Sequence, residues 1–235
     1  MRYMRYKIKG DSDCPLLEVA LENNETIKLE RGSMVYMSDV LLEGKVNSEK
    51  KGFGGVLSAI GRSITSGESM FITHATGTSS RAMVGIAPAT PGKLTCLPVG
   101  NGVQYYLNTG AFVACDNSVN YEMHSQSIGK AFFAGTGGFF VMQTKGVGDV
   151  IVSSFGDILP IEVSSDRPMI IDNEHVVAWD ANLSYEIKIA SGTFGFTSGE
   201  GIVNEFRGNG TVYIQTRNIH NLADAIRPYI PTSNG

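Results

Sequence analysis

Cysteine is scarce in this chain. Cys14, Cys96 and Cys115 are the only three in 235 residues, an odd number with no Cys-x-x-Cys spacing. A disulfide framework and a zinc knuckle both need paired, closely spaced cysteines, so neither is expected. A reducing, cytoplasmic compartment is the expected home. Long apolar runs are missing too. No stretch approaches the roughly 18 apolar residues of a membrane-crossing helix, and no apolar core of a secretory signal follows the opening Met-Arg-Tyr-Met-Arg-Tyr-Lys-Ile-Lys-Gly. Charge is thin. Asp, Glu, Lys and Arg make up 18% of the chain, below the usual ~25%, and the net charge is −4. Non-specific nucleic-acid binding draws on a basic surface that releases phosphate counterions, so nucleic acid is not an expected partner. A surface poor in charge fits a chain that hides part of itself in a homo-oligomer.

What the chain has in quantity is glycine and alternating apolar residues. There are 28 glycines, without the strict third-residue period of collagen. Leu17, Val19 and Leu21 alternate with Glu18, Ala20 and Glu22, and the same period of two recurs at Val103, Tyr105 and Leu107, and at Tyr185, Ile187 and Ile189. That period is the mark of half-buried strands. Turn signals separate the runs: residues 22–25, Pro91-Gly92, Gly100-Asn101-Gly102, Asp172-Asn173 and Gly208-Asn209-Gly210. Asn and Gly accept the positive φ that tight turns demand. No strand–helix–strand rhythm is present. The expected fold is all-β, with repeated short-stranded antiparallel sheets in a sandwich or barrel, forming one pseudo-repetitive domain over 1–235.

Two stretches break the pattern. Gly52 to Ile64 is glycine-rich and apolar, with Phe53, Val56, Leu57, Ile60 and Ile64 as its hydrophobic residues and Arg62 as its one charge. These five are the expected oligomer interface. Insertion at a membrane surface is the less favoured alternative, because such helices usually carry several basic residues. At the C-terminus, Ile219, Leu222, Ala223 and Ile226 share a helical face and Pro228 and Pro231 end the pattern, predicting a short amphipathic helix over Asn218–Arg227 docked on the sheet.

The chain also repeats itself. Gly146-Val-Gly-Asp-Val-Ile-Val-Ser-Ser matches Gly208-Asn-Gly-Thr-Val-Tyr-Ile-Gln-Thr 62 residues on, Gly137 matches Gly199, and Gly67-Glu-Ser-Met-Phe-Ile-Thr is a looser third copy. The paired glycines predict a hairpin turn between flanking strands, and repetition predicts stacked or pseudo-symmetric sheets.

Motifs that carry chemistry are few. Gly129-Lys130 is followed by Ala131, with no glycine five positions earlier, so there is no Walker loop. No Gly-x-Ser-x-Gly or His-Glu-x-x-His occurs. His74, Glu122 and His124 lie on predicted strands, where a cupin-like metal-dependent enzyme would place its ligands, yet ordinary strand histidines are the favoured reading. Asp172, Glu174, His175 and Asp180 form the densest polar cluster, and the favoured reading is an Asx-type turn at Asp172-Asn173. Trp179, the sole tryptophan, reads as core or interface. Arg5, Lys7 and Lys9 share a strand face with Tyr3, a pattern that suits single-stranded nucleic acid but also guards an edge strand, which is favoured here. No catalytic, metal-binding or cofactor-binding residue is assigned, and no cofactor is expected.

The chain resembles a known family. The pieces are Gly67-Glu-Ser-Met-Phe-Ile, Gly110-Ala-Phe-Val-Ala-Cys, Gly137-Gly-Phe-Phe, Gly146-Val-Gly-Asp-Val-Ile-Val, Val176-Val-Ala-Trp, Gly199-Glu-Gly, Val212-Tyr-Ile-Gln-Thr-Arg-Asn and the closing Leu222-Ala-Asp-Ala-Ile-Arg-Pro-Tyr-Ile-Pro. In this order they resemble the altered-inheritance-of-mitochondria, or mitochondrial biogenesis, family, over almost the whole chain from about residue 16. The resemblance implies a module like the tryptophan RNA-binding attenuator protein, built of repeated sheets and assembled as a trimer or ring. It implies no catalytic residues. Eukaryotic members are linked to mitochondria, but no Arg- and Ser-rich presequence is evident here, so a bacterial cytoplasm is expected. The expected role is a non-enzymatic scaffold or binding module. Its expected partner is itself, with a further protein partner left open. The alternatives are an RNA- or small-ligand-binding ring, a cupin-like enzyme and a membrane-surface protein.

Overall fold

The computed structural model describes residues 3–10, 13–46, 71–108, 110–126, 139–189 and 201–231. The expected interface residues Phe53, Val56, Leu57, Ile60 and Ile64 lie outside them. After an opening strand β1 (Arg5–Lys9), the chain runs three times through the same plan of six strands. Unit one holds β2 (Leu16–Leu21), β3 (Thr26–Glu30), β4 (Met34–Ser38), β5 (Val40–Val46), β6 (Phe71–Gly77) and β7 (Ala82–Ile86). Unit two holds β8 (Leu94–Val99), β9 (Tyr105–Leu107), β10 (Phe112–Asp116), β11 (Val119–Gln126), β12 (Phe139–Gly146) and β13 (Gly148–Ser153). Unit three holds β14 (Ile158–Val163), β15 (Met169–Asp172), β16 (Val176–Asp180), β17 (Ser184–Ile189), β18 (Ile202–Arg207) and β19 (Gly210–Gln215). Helix α1 (Ile219–Ile226) and a 3₁₀ turn (Arg227–Tyr229) end the chain's described part.

The pairings repeat with the plan. In each unit the last strand lies between the first and third, giving β2-β7-β4, β8-β13-β10 and β14-β19-β16, and the fifth lies between the fourth and second, giving β5-β6-β3, β11-β12-β9 and β17-β18-β15. All these pairs are antiparallel. Units join by strand pairing as well, β3 with β10 and β9 with β16. Each six-stranded sheet therefore takes half its strands from one unit and half from the next. Among the described residues none of the four sheets closes on itself. The fold is all-β among the described residues, with one short C-terminal helix, as the alternation predicts.

Even irregularities recur. The register slips by one residue within β4, β10 and β16, between Met34 and Tyr36, Phe112 and Ala114, and Val176 and Ala178. One extra residue on one strand is a β-bulge, which sharpens local twist. Asp116 accepts the Asp149 N–H at 2.7 Å, and its counterpart Asp180 accepts the Thr211 N–H at 2.8 Å. The alternating side chains fill three apolar clusters, centred on Leu17, Val19, Leu29 and Val84 in unit one, Leu97, Leu107 and Val150 in unit two, and Trp179, Phe206 and Val212 in unit three. Full burial of such a side chain contributes about 1.5–3 kcal/mol.

Two expectations need correcting. The Gly-x-Gly turns do not close hairpins. β12 and β13 sit in different sheets, as do β18 and β19, so each turn carries the chain from one sheet across to the other. Gly146 is suited to this: its φ is +109°, and a Cβ there would come within 2.5 Å of the Ser118 carbonyl oxygen. Second, α1 forms where the spacing predicts it, but it is not docked on a sheet, since none of its residues is buried. Periodicity reveals an apolar face without revealing what covers it.

Candidate functional site

The places where units meet are the most informative part of the molecule. At the first seam, Lys28 of β3 lies opposite Cys115 of β10. Both are buried. The Lys28 ammonium donates to the Val119 carbonyl at 2.7 Å and to Asn120 Oδ1 at 3.2 Å. Burial pulls its pKa below the usual lysine range, because the charged form loses its water. The second seam has the same backbone register with other side chains. Tyr106 of β9 faces Trp179 of β16. Their rings stack at 5.5 Å, Tyr185 meets Trp179 edge-on at 4.9 Å, and His124 packs edge-on against Tyr106 at 5.9 Å. One seam is polar and pinned by a cation; the other is aromatic.

A third pair of strands has the geometry of a seam and no partner strand among the described residues. β4 is the counterpart of β10 and β16, and β15 is the counterpart of β3 and β9, yet each ends its sheet. Aligning the registers places Met37 with Cys115 and Trp179, and Ile170 with Lys28 and Tyr106. Cys115 and Trp179 are 2% and 1% exposed, whereas Met37 is 45% exposed. Val35 is 56% exposed, against 0% for Val113 and 1% for Val177. Ile170 is exposed as well. A row of unpaired backbone N–H and C=O groups flanked by apolar side chains is a template for another strand. Neither strand stands out in the sequence. The signal is the recurrence of Val-Ala-Cys-Asp at 113–116 and Val-Ala-Trp-Asp at 177–180, from which the same strand in unit one could have been sought and found as Val-Tyr-Met-Ser at 35–38.

His124 lies 3.7 Å from Glu122, which is also ion-paired with Lys145. His74 is on β6, in a different sheet. No group of three His, Cys, Asp or Glu that could hold a metal ion occurs among the described residues. Asp172 Oδ1 accepts the Glu174 N–H at 2.8 Å, the Asx turn expected there, and caps the 3₁₀ turn at Asn173–His175. β1 is an edge strand, and its Arg5 and Lys9 are ion-paired with Glu22, Glu25 and Glu18 of the neighbouring segment. No helix among the described residues is long and apolar enough to cross a membrane.

All three cysteines are thiols. Cys14 is exposed, while burial pushes the Cys96 thiol up to about 11 and the Cys115 thiol up to about 12. Only the thiolate is nucleophilic. At neutral pH a thiol reagent is therefore expected to label Cys14 ahead of Cys96 and Cys115 in the native protein, and all three in denaturant. Rapid native labelling of Cys115, read by peptide mass, would contradict this burial.

Comparison with known proteins gives a consistent picture. Residues 6–217 match the family model described as mitochondrial biogenesis AIM24. The closing stretch Leu222–Pro231, counted above among the resembling pieces, falls outside that match. An uncharacterized protein of Streptococcus pyogenes serotype M6 is 44% identical over 233 residues, covering 98% of this chain and 93% of its own. A crystal structure of a Streptococcus pyogenes protein is similar at a TM-score of 0.79 and 42% identity, covering 97% of this chain and all of that one.

Proposed function

Because this chain belongs to the mitochondrial biogenesis AIM24 family, whose matched stretch spans all three units, we propose that it works without catalysis, as a ring-shaped scaffold made of its own copies. In the ring, β15 of one chain pairs with β4 of the next. The observation that carries this is the exposure of Met37 and Val35, at positions that are buried wherever the repeat supplies the adjoining strand. Carrying the internal register across the gap sets Tyr36 opposite Ile171, Met37 opposite Ile170 and Ser38 opposite Met169. The seam is apolar at its centre. Its two halves are different surfaces, so the contact is head-to-tail, and such contacts propagate until they close. The closed form is a homotrimer. A reducing cytoplasm belongs to the proposal, since the three thiols need no oxidising compartment.

Native mass spectrometry of the untagged protein tests the reading. The expected species is three times the 25.2 kDa chain and carries nothing else. A monomer at micromolar concentration would overturn the ring. A stoichiometric metal or small molecule would overturn the non-catalytic role.

A further inference from the structure

Helix α1 presents an apolar face with no cover among the described residues. Ile219, Leu222 and Ile226 are all exposed, and so are Tyr229 and Ile230 beyond it. Eight residues gain too little from their own hydrogen bonds to hold a helix alone in water. The root of α1 is nonetheless fixed. Asn218 Oδ1 accepts the Asn221 N–H at 2.7 Å, and Asn218 Nδ2 donates to His175 Nε2 at 3.0 Å. With Nε2 accepting, the ring proton sits on Nδ1, which donates to the Gln215 carbonyl at 2.7 Å. His220, in the first turn, pairs with Glu174. Polar groups thus tie the helix to the end of unit three and leave its apolar side unused.

The place where that root lies follows from the repeat. The segment entering each unit hydrogen-bonds the segment that entered the unit before. Gly92, before unit two, donates its N–H to the Asp13 carbonyl, before unit one. Gly156, before unit three, donates to the Pro91 carbonyl at 3.0 Å. Arg217 donates to the Phe155 carbonyl at 3.1 Å. Residue 217 therefore stands where a fourth unit would begin, and α1 starts two residues on. In a head-to-tail ring the fourth unit is unit one of the next copy. The entrance of unit one has an element the other units lack, β1, whose exposed Ile8 lies beside Leu17 at the start of β2.

We propose that α1 is a latch onto a second copy of this chain: its Ile219–Leu222–Ile226 face lies on the entrance of the next copy's first unit, over Ile8 and the segment around Cys14. The inference rests on the ring reading. Each chain then contributes two contacts to the same seam, a strand edge and a helical arm, and β1 and α1, both outside the repeat, meet there.

The test is a crosslink. An Ile219→Cys chain is treated at neutral pH with a short bismaleimide; Cys115 is buried, and Cys96 is half-buried with its thiol pushed up to about 11, so both react slowly. The expected product on a denaturing gel is a covalent ladder rising to the ring's full size, lost when Cys14→Ser is added. A second variant, Leu222→Glu, is expected to raise the assembly's dissociation constant tenfold or more with an unchanged circular-dichroism spectrum. A product at monomer mass would mean that the chain's own segments cover the helix. Lost vesicle co-sedimentation in Leu222→Glu with an intact ring would mean that a lipid surface does. No ladder, or an unweakened ring, from a sample that is still a ring by native mass spectrometry would overturn the latch alone. A monomer by that measurement would overturn the ring and the latch together.

Discussion

Replacing Met37 by glutamate is expected to convert the assembled protein into folded monomers. In the isolated chain Met37 is 45% exposed, so the substitution itself costs the monomer little, within about 0.5 kcal/mol for an exposed site. In the proposed seam the same side chain occupies the position held by Cys115 and Trp179 inside the chain, where almost no water reaches. Ile170 lies opposite it and offers no cation. A buried carboxylate without a partner costs about 3–5 kcal/mol, which weakens each seam by more than a hundredfold. Sedimentation velocity at micromolar concentration, with circular dichroism as the control for folding, should show a species of one chain. Met37→Leu keeps the volume and should leave the assembly unchanged. An intact ring in Met37→Glu would show that β4 lies outside the interface.

The second large effect is expected at Trp179→Ala. The indole stacks on Tyr106 at 5.5 Å and meets Tyr185 at 4.9 Å and Phe206 at 5.5 Å, so it joins the seam between units two and three to the core of unit three. Truncating a buried tryptophan removes its transfer energy and leaves a cavity, together about 3–5 kcal/mol. At about 2–4 °C per kcal/mol for a chain of this length, the thermal midpoint should fall by about 6–20 °C. Trp179→Phe should cost far less. The indole N–H finds no hydrogen-bond acceptor among the described residues, so the phenyl ring gives up volume and no hydrogen bond there. Thermal melts of the two variants side by side separate these effects. Equal losses would mean that the N–H is bonded after all.

Much of the fold was legible in the sequence. The period of two located strands such as Leu16–Leu21 and Ser184–Ile189, because one face of each packs inward. Asn24 and Asn101 adopt positive φ, as their turn positions require. Asp172 and Asn173 form a turn because a short acceptor side chain can reach the backbone two residues on. The 62-residue repeat was legible from paired glycines. The crossing between sheets was not, since a Gly-x-Gly turn can fold back or pass across, and only long-range pairing decides. The first unit was harder to see. Val35–Ser38 shares its backbone path with 113–116 and 177–180, but Tyr36, Met37 and Ser38 replace Ala, Cys or Trp, and Asp. A strand that pairs between copies, as proposed for β4, need not preserve the side chains that fit one inside a chain. The same holds for α1, whose spacing shows an apolar face and is silent about its occupant.

The two seams inside the chain share one backbone register with the seam proposed between copies, and the three differ in every central pair: Lys28 with Cys115, Tyr106 with Trp179, and, in the proposed seam, Ile170 with Met37. A trimeric ring of such chains therefore carries two symmetries at once. A partner that touches only main chain meets an equivalent surface at every unit around the rim. A partner that reads side chains meets a given surface once per chain, three times per ring. The repeat sets the spacing of docking positions, and divergence between units decides how many of them a given partner can use.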